Sequence, residues 1–149
     1  MIEAAALAKL PRWPFGDSPE LADRLAALIV AGVKTGTCMA KSSGDMSTPG
    51  EKGVLVNGEE KPVALLEILT SEEMRFCEVT PELAALEGEG DLSFDYWKTA
   101  HQNFFERTCG FSEDMEIVFE TFRVLEILDH EFAEQADAHL RAERAGKTI

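Results

Sequence analysis

The chain has 149 residues, of which 45% are hydrophobic, and its 14 Lys and Arg stand against 28 Asp and Glu, a formal net charge of −14. This composition supports one folded domain with an ordinary core, and it excludes general disorder. It also excludes a membrane span, because no apolar run approaches the roughly 20 residues that a bilayer requires. The negative charge argues against extended, sequence-independent binding of duplex DNA or RNA. An early glutamate and the lack of a long apolar region near the first residue argue against a secretory signal.

The first third of the chain predicts a helix followed by a short strand. Ser18 is positioned to cap a helix over residues 19–31, on which Leu and Ile side chains recur on one face. Gly36–Ala40 is predicted to be a strand. Residues 41–53 are rich in Ser, Gly and Pro, which is typical of a loop.

The middle of the chain predicts a hairpin. Residues 54–56 and 62–69 are hydrophobic stretches joined through Asn57-Gly58, which is a strong signal for a tight turn between antiparallel strands. Residues 74–79 are predicted to form a separate strand.

The second half of the chain predicts helices around one long strand. The predicted elements are a short helix at 81–86, a helix at 94–107 capped by Ser93, a strand at 115–128, a helix at 130–145 and a frayed end at 146–149. Helices and strands do not alternate regularly. The sequence therefore predicts an α+β fold with a small mixed sheet or an open barrel.

The turn at residues 32–37, with the sequence GVKTGT, is the first candidate for chemistry. Lys34 can neutralise a phosphate or an oxyanion, and a desolvated lysine can act as a base or nucleophile. Thr35 or Thr37 can point toward the same cavity. The Walker A pattern is absent. The structural alternative is that Lys34 stabilises the carboxyl end of the preceding helix.

The acidic segment EGEGD at residues 87–91 is the second candidate. Its glycines allow the backbone to approach a ligand closely. The carboxylates of Glu87, Glu89 and Asp91 could bind a metal, orient a lysine or accept a proton. The alternative is a solvated turn between two helices, and the spacing of an EF-hand calcium loop is absent.

Aromatic residues and a histidine on the helix at 94–107 form the third candidate. Tyr96 and Trp97 could stack on a nucleobase, and His101 could serve as a base. At helical spacing, such residues are also typical of a hydrophobic core, with His101 partly buried in it.

The cysteines Cys38, Cys77 and Cys109 are widely spaced and odd in number. This pattern argues against a disulfide framework and against a zinc site, and it favours a reducing, cytoplasmic setting. A catalytic thiol at Cys38 has no histidine near it in the sequence. The residue is therefore interpreted as a small hydrophobe on a strand.

Several of these motifs are similar to those of the ASCH-domain family, in particular its bacterial branch of stand-alone proteins. The most specific stretch is EGEGDLS at 87–93 followed by Tyr96-Trp97 and His101. The resemblance extends over residues 15–128. The other matching stretches are FGDSPELAD at 15–23, GVKTGT at 32–37, Phe104-Phe105 and FETFRV at 119–124.

The resemblance implies a PUA-like fold, a small mixed-strand β-barrel flanked by helices. It also implies a cleft that meets RNA or a modified nucleoside. In these terms, residues 1–129 form the domain with an amino-terminal helical segment, and residues 130–149 form a helical tail.

Small members of the wider family hydrolyse the acyl amide of N4-acetylcytidine with a Lys, a Thr and a Glu. The resemblance maps these catalytic residues onto Lys34, Thr37 and Glu89, although Glu87 can align in place of Glu89. Several relatives carry an arginine shortly after the second threonine, and this chain departs from that pattern; Lys41 is the candidate substitute, although on a continued strand its side chain would point to a different side. The residues expected to bind substrate are Thr35, Lys41, Glu87, Asp91, Tyr96, Trp97 and His101.

Three functions remain open from the sequence. The first is a hydrolase acting on an N4-acylated cytidine-type nucleoside, with either Lys34 or Glu89 as the base. The second is a ribonuclease for single-stranded RNA, with a divalent metal held by the acidic segment. The third is a non-catalytic RNA-binding module. No cofactor is expected outside the nuclease, and the partner in each case is a modified nucleoside or a short single strand.

Overall fold

The computed structural model describes residues 2–145, so the frayed end predicted at 146–149 lies outside the described residues. Over that range the helices are α1 Ala4–Leu7, α2 Pro19–Val30, α3 Pro81–Ala85, α4 Phe94–Thr108 and α5 His130–Arg144. The strands are β1 Arg12–Trp13, β2 Gly36–Ala40, β3 Lys52–Val56, β4 Pro62–Arg75 and β5 Glu116–Ile127. Short 3-10 helices cover Lys41–Ser43 and Phe76–Glu78.

The strands form one mixed sheet in the order β1-β3-β4-β5-β2. β1 pairs with β3 in parallel, and the other pairs are antiparallel. The predicted α+β class and mixed strand directions are confirmed. Within residues 2–145 the sheet is open rather than closed into a barrel, with the two-residue β1 and the five-residue β2 at its edges.

The helix starts follow the capping residues that the sequence predicted. The hydroxyl of Ser18 accepts a hydrogen bond from the amide of Leu21 at 3.1 Å. Ser93 does the same for Tyr96 at 3.1 Å. These caps satisfy amides that have no partner inside the helix, and they set the positions of α2 and α4.

The structure corrects the prediction for the middle strands. Residues 62–69 and 74–79 were expected to form separate strands, but β4 is one strand from Pro62 to Arg75, and Phe76–Glu78 is a 3-10 helix. The polar residues Ser71, Glu72 and Glu73 continue the pairing with β5. Backbone hydrogen bonds with a long neighbour hold them in the sheet although their side chains carry no hydrophobic pattern.

Two clusters of buried side chains lie against the sheet. One packs α2 onto the sheet and includes Ile29, Leu55 and Phe122. The other packs α4 against the β5 side and includes Trp97 and Phe105. Helix α5 packs against α2. None of the helices within residues 2–145 has the length and apolar content needed to cross a membrane.

Candidate functional site

The lysine turn and the acidic segment meet through their backbones. The amides of Thr35 and Gly36 donate to the carbonyl of Leu86 at 2.8 and 3.0 Å. Gly88 has a φ of 69°, and a Cβ there would lie 2.4 Å from the carbonyl oxygen of Val33. Only glycine permits this approach, which brings the two motifs side by side.

Lys34 is fully buried between the two glutamates of the acidic segment. Its side chain is 1% exposed, and its ammonium donates to Glu87 Oε1 at 3.0 Å and to Glu89 Oε2 at 2.9 Å. It also donates to the carbonyl of Gly36 at 3.2 Å. Both glutamates that could align with the site carboxylate therefore contact Lys34 in the structure.

The electrostatic surroundings keep Lys34 charged. Burial lowers the pKa of an ammonium, but the charges of Glu89 and Glu87, together with its hydrogen bonds to them, outweigh that effect. The pKa of Lys34 therefore lies above its ordinary value. In this state the lysine is a cation that can hold negative charge, not a base.

Glu87 is buried at 1% exposure and lies at the centre of the polar cluster. Its Oε2 accepts a hydrogen bond from Trp97 Nε1 at 2.8 Å and lies 3.1 Å from His101 Nε2. Burial raises the pKa of a carboxyl, but the charges of His101 and Lys34 hold the pKa of Glu87 well below its usual range. Glu87 is therefore a carboxylate.

His101 faces acceptors with both ring nitrogens. Its Nδ1 lies 2.9 Å from the carbonyl oxygen of Trp97, and its Nε2 faces Glu87. A carbonyl can only accept, so Nδ1 carries a proton. Burial opposes a charged imidazole, but the Glu87 carboxylate raises the pKa of His101 well above its ordinary value. The ring stacks on Trp97 with centroids 4.5 Å apart.

Cys38 is a neighbour of this cluster that the sequence analysis missed. The ligand-type atoms of Cys38, Glu87 and His101 all lie within 4.8 Å of one another. Burial, with the nearby charge of Glu87, raises the pKa of the Cys38 thiol to about 12. Within residues 2–145, these three side chains form a group whose donor atoms are of the types, and lie at the spacing, that can hold a metal ion.

The cluster forms one wall of a cavity of about 530 Å³ between α2 and α4. A second cavity of about 690 Å³ shares Phe15, Gly16, Thr37, Cys38 and Phe104 with the first, so the two cavities are adjacent. The size falls in the range of small-molecule sites. The candidate catalytic and ligand residues that line the first cavity are Lys34, Thr37, Cys38, Glu87, Glu89 and His101.

Five other residues expected to bind substrate do not line either of these two cavities of residues 2–145. Lys41 is exposed and pairs with Glu73 and Glu116 at 3.1 and 3.4 Å. Trp97 is buried behind Glu87. The others are Thr35, which contacts Leu86 and Phe122 through its backbone, the exposed Asp91, and Tyr96, whose ring lies against Gly90.

Helix α5 holds the acidic segment from behind, a role that the sequence did not indicate. Glu143, 3% exposed, accepts from the amide of Gly90 and pairs with Arg24 at 2.9 Å. Arg144 donates to the carbonyls of Gly88 and Gly90 at 2.8 and 3.0 Å. These contacts fix the backbone on both sides of Glu89. An Ala-, Glu- and Arg-rich helix gives no sequence signal that separates such residues from solvated ones.

Comparisons with known proteins identify one family, the ASCH domain. A family model described as ASCH domain matches residues 11–126. The chain is similar to the crystal structure of an ASCH domain from Lactobacillus crispatus JV V101, at 31% identity and a TM-score of 0.74, over 84% of this chain and 87% of the other. It is also similar to protein EF3133 from Enterococcus faecalis V583, at 29% identity and a TM-score of 0.71, over 85% and 80%. No curated protein sequence gives a significant match.

Proposed function

Because the chain belongs to the ASCH domain family, which is generally associated with RNA, we propose that it is a small hydrolase that removes an acyl group from the exocyclic amine of a modified cytidine. The observation that carries this proposal is Lys34, a buried ammonium held at 2.9–3.0 Å by Glu87 and Glu89 on the wall of a cavity of about 530 Å³. Thr37 lines the same cavity.

Amide hydrolysis requires three functions, and the side chains on this wall are of the types that can supply them. A base must take a proton from the attacking nucleophile, a donor must stabilise the tetrahedral oxyanion, and a proton must reach the leaving amine. A preorganised cation in a partly dehydrated cavity stabilises an oxyanion far more than the same cation in water. Lys34, which stays protonated, suits the oxyanion, and Glu89 suits the transfer of protons.

The proposed reaction follows from which contacts can change. Glu89 is 11% exposed while Glu87 is 1% exposed, so Glu89 is the partner of Lys34 that a substrate can displace. Glu89 takes a proton from water as the water oxygen bonds to the acyl carbon. The carbon–nitrogen bond then breaks, and the proton on Glu89 passes to the leaving amine. Lys34 and the hydroxyl of Thr37 donate to the oxyanion, and the products are cytidine and a carboxylic acid.

The test is turnover of N4-acetylcytidine by the purified protein, with cytidine and acetate measured by mass spectrometry. Glu89→Gln is expected to lower kcat about 10²–10⁴-fold, the usual range for a lost general base. Thr37→Val is expected to lower it about 10²-fold, as for a lost oxyanion donor. Both variants retain the size of the side chain, so the fold is expected to persist.

The matched controls are Glu73→Gln and Thr99→Val, which change the same residue types at exposed positions outside the cavity. Both are expected to retain full turnover. Absence of turnover by the wild-type protein, or equal turnover in Glu89→Gln, would contradict the proposal.

A ribonuclease acting on single-stranded RNA is the second candidate, favoured by the presence of a second cavity adjacent to the first. Two adjacent cavities offer room for more than one nucleotide, and Phe15 and Phe104 line both of them. Short unstructured RNA incubated with wild-type and Glu89→Gln proteins prepared in parallel separates this activity from a copurifying nuclease. Binding without cleavage would instead favour a non-catalytic RNA-binding module.

A further inference from the structure

Three side chains from separate segments converge at the wall of the first cavity. Cys38 comes from β2, Glu87 from the segment after α3 and His101 from α4, and their ligand-type atoms lie within 4.8 Å of one another. Thiolate, carboxylate and imidazole are the ligands that zinc uses, at about 2.0–2.3 Å, which places neighbouring ligands of a tetrahedral ion about 3.5 Å apart. Small side-chain movements are enough to reach that spacing.

The surroundings of these ligands already have the form that metal sites require. The Nδ1 of His101 is turned to the carbonyl of Trp97 at 2.9 Å, which leaves Nε2 directed at Glu87 and the cluster. Glu87 is held by Lys34 on Oε1 and by Trp97 on Oε2. Such outer hydrogen bonds orient ligands before an ion binds and strengthen its binding.

The charges of the cluster also accommodate a divalent cation. A thiolate at Cys38 and the carboxylate of Glu87 together carry the two negative charges that match a zinc ion when His101 ligates as a neutral imidazole. Lys34 is paired with Glu89 at 2.9 Å. The ion therefore adds no uncompensated charge to a buried site, which would be the main obstacle to its binding.

The alternative role, a cysteine–histidine nucleophile, fits this arrangement less well. In such a pair the imidazolium stabilises the thiolate. Here the Nε2 of His101 lies 3.1 Å from Glu87 Oε2, so its positive charge is already matched by a carboxylate.

We propose that Cys38, Glu87 and His101, which all line the first cavity, bind one zinc ion. An ion held by three protein ligands would supply an acidified water. This proposal is argued from the positions of the three side chains and does not depend on the proposed deacylation of cytidine.

The experiment is zinc binding by the metal-stripped full chain, measured by calorimetry and by competition with a chromophoric chelator. The wild-type protein is expected to bind one equivalent. Cys38→Ser, which nearly preserves shape, is expected to weaken binding at least about 10-fold, and His101→Gln likewise. Cys77→Ser removes an exposed thiol outside both cavities and is the control expected to bind as the wild type does.

Cobalt gives a readout specific to the thiolate. The wild-type protein with one equivalent of Co²⁺ is expected to show an ultraviolet sulfur-to-cobalt charge-transfer band, which Cys38→Ser loses and Cys77→Ser retains. Absence of stoichiometric zinc binding in the wild type, or equal affinity and an equal band in Cys38→Ser, overturns the proposal. Neither measurement involves turnover, so its failure is distinguishable from a failure of the proposed hydrolase.

Discussion

The protein contains two groups of one lysine and two glutamates with nearly the same contacts. Lys34 lies 3.0 and 2.9 Å from Glu87 and Glu89, and the three side chains are 1%, 1% and 11% exposed. Lys41 lies 3.1 and 3.4 Å from Glu73 and Glu116, at 40%, 52% and 66% exposure. The groups differ in access to water and hardly at all in distance.

The difference shows that ion-pair geometry alone does not identify a functional site. An exposed ion pair gains little, because water and salt screen it. Forming a buried pair costs the hydration of each charge, and a protein with apolar residues of similar volume in its place is often at least as stable. Buried charge at a cavity wall is therefore the stronger indication of chemistry.

The largest expected effect comes from removing each lysine in turn. Lys34→Met leaves two carboxylates without their cation in a buried site, so we expect the free energy of unfolding to fall by about 3–5 kcal/mol. Lys41→Met is expected to leave the free energy of unfolding unchanged, because its ion pairs are exposed to water. Urea unfolding of both variants measures the difference, and similar losses in the two would show that burial does not separate the groups.

A smaller effect is expected from the glycine that brings the buried group together. Gly88→Ala introduces a Cβ 2.4 Å from the Val33 carbonyl at a φ of 69°. A left-handed alanine costs about 1–2 kcal/mol and an overpacked contact about 1–3 kcal/mol, so we expect a loss of about 2–5 kcal/mol in unfolding free energy. Gly50, with a φ of 91° and open space around its Cβ position, is the control that isolates the conformational part. Equal losses in Gly50→Ala and Gly88→Ala would rule out a steric contribution from Val33.

The smallest effect is expected from the contact between α5 and the acidic segment. Arg144→Ala removes two hydrogen bonds to the carbonyls of Gly88 and Gly90, so we expect a loss of about 1–2 kcal/mol. Hydrogen exchange at the amides of residues 87–90 should accelerate more than exchange in β4. Arg141→Ala, an exposed arginine on the same helix, should change neither measurement. Unchanged exchange in Arg144→Ala would mean that the segment holds its shape without α5.

Local signals in the sequence predicted much of the fold. Ser18 and Ser93 begin helices as expected, because a capping hydroxyl is a local interaction that a short stretch of sequence encodes. The continuous strand at 62–75 was not predicted, because Glu72 and Glu73 join the sheet through pairing with a distant strand. Pairing of that kind depends on tertiary structure rather than on the local pattern.

The candidate site divides in the same way. The resemblance singled out Lys34 and the acidic segment, and the structure places them in contact. The approach of Cys38 to His101 was not predicted, because it depends on how α4 packs beside β2. The spacing of Trp97 and His101 put both on one face of a helix, but it could not show which strand that face meets.

The attachment of α5 to the acidic segment extends the support of the candidate site beyond the region that the family model matches. The matched family region is 11–126, whereas Glu143 and Arg144 belong to the helix that follows it. The backbone on both sides of Glu89 is therefore held in part by a helix that lies outside the matched region, so a chain shortened before α5 would keep the lysine turn and the acidic segment but lose the contacts that Glu143 and Arg144 make with Gly88 and Gly90.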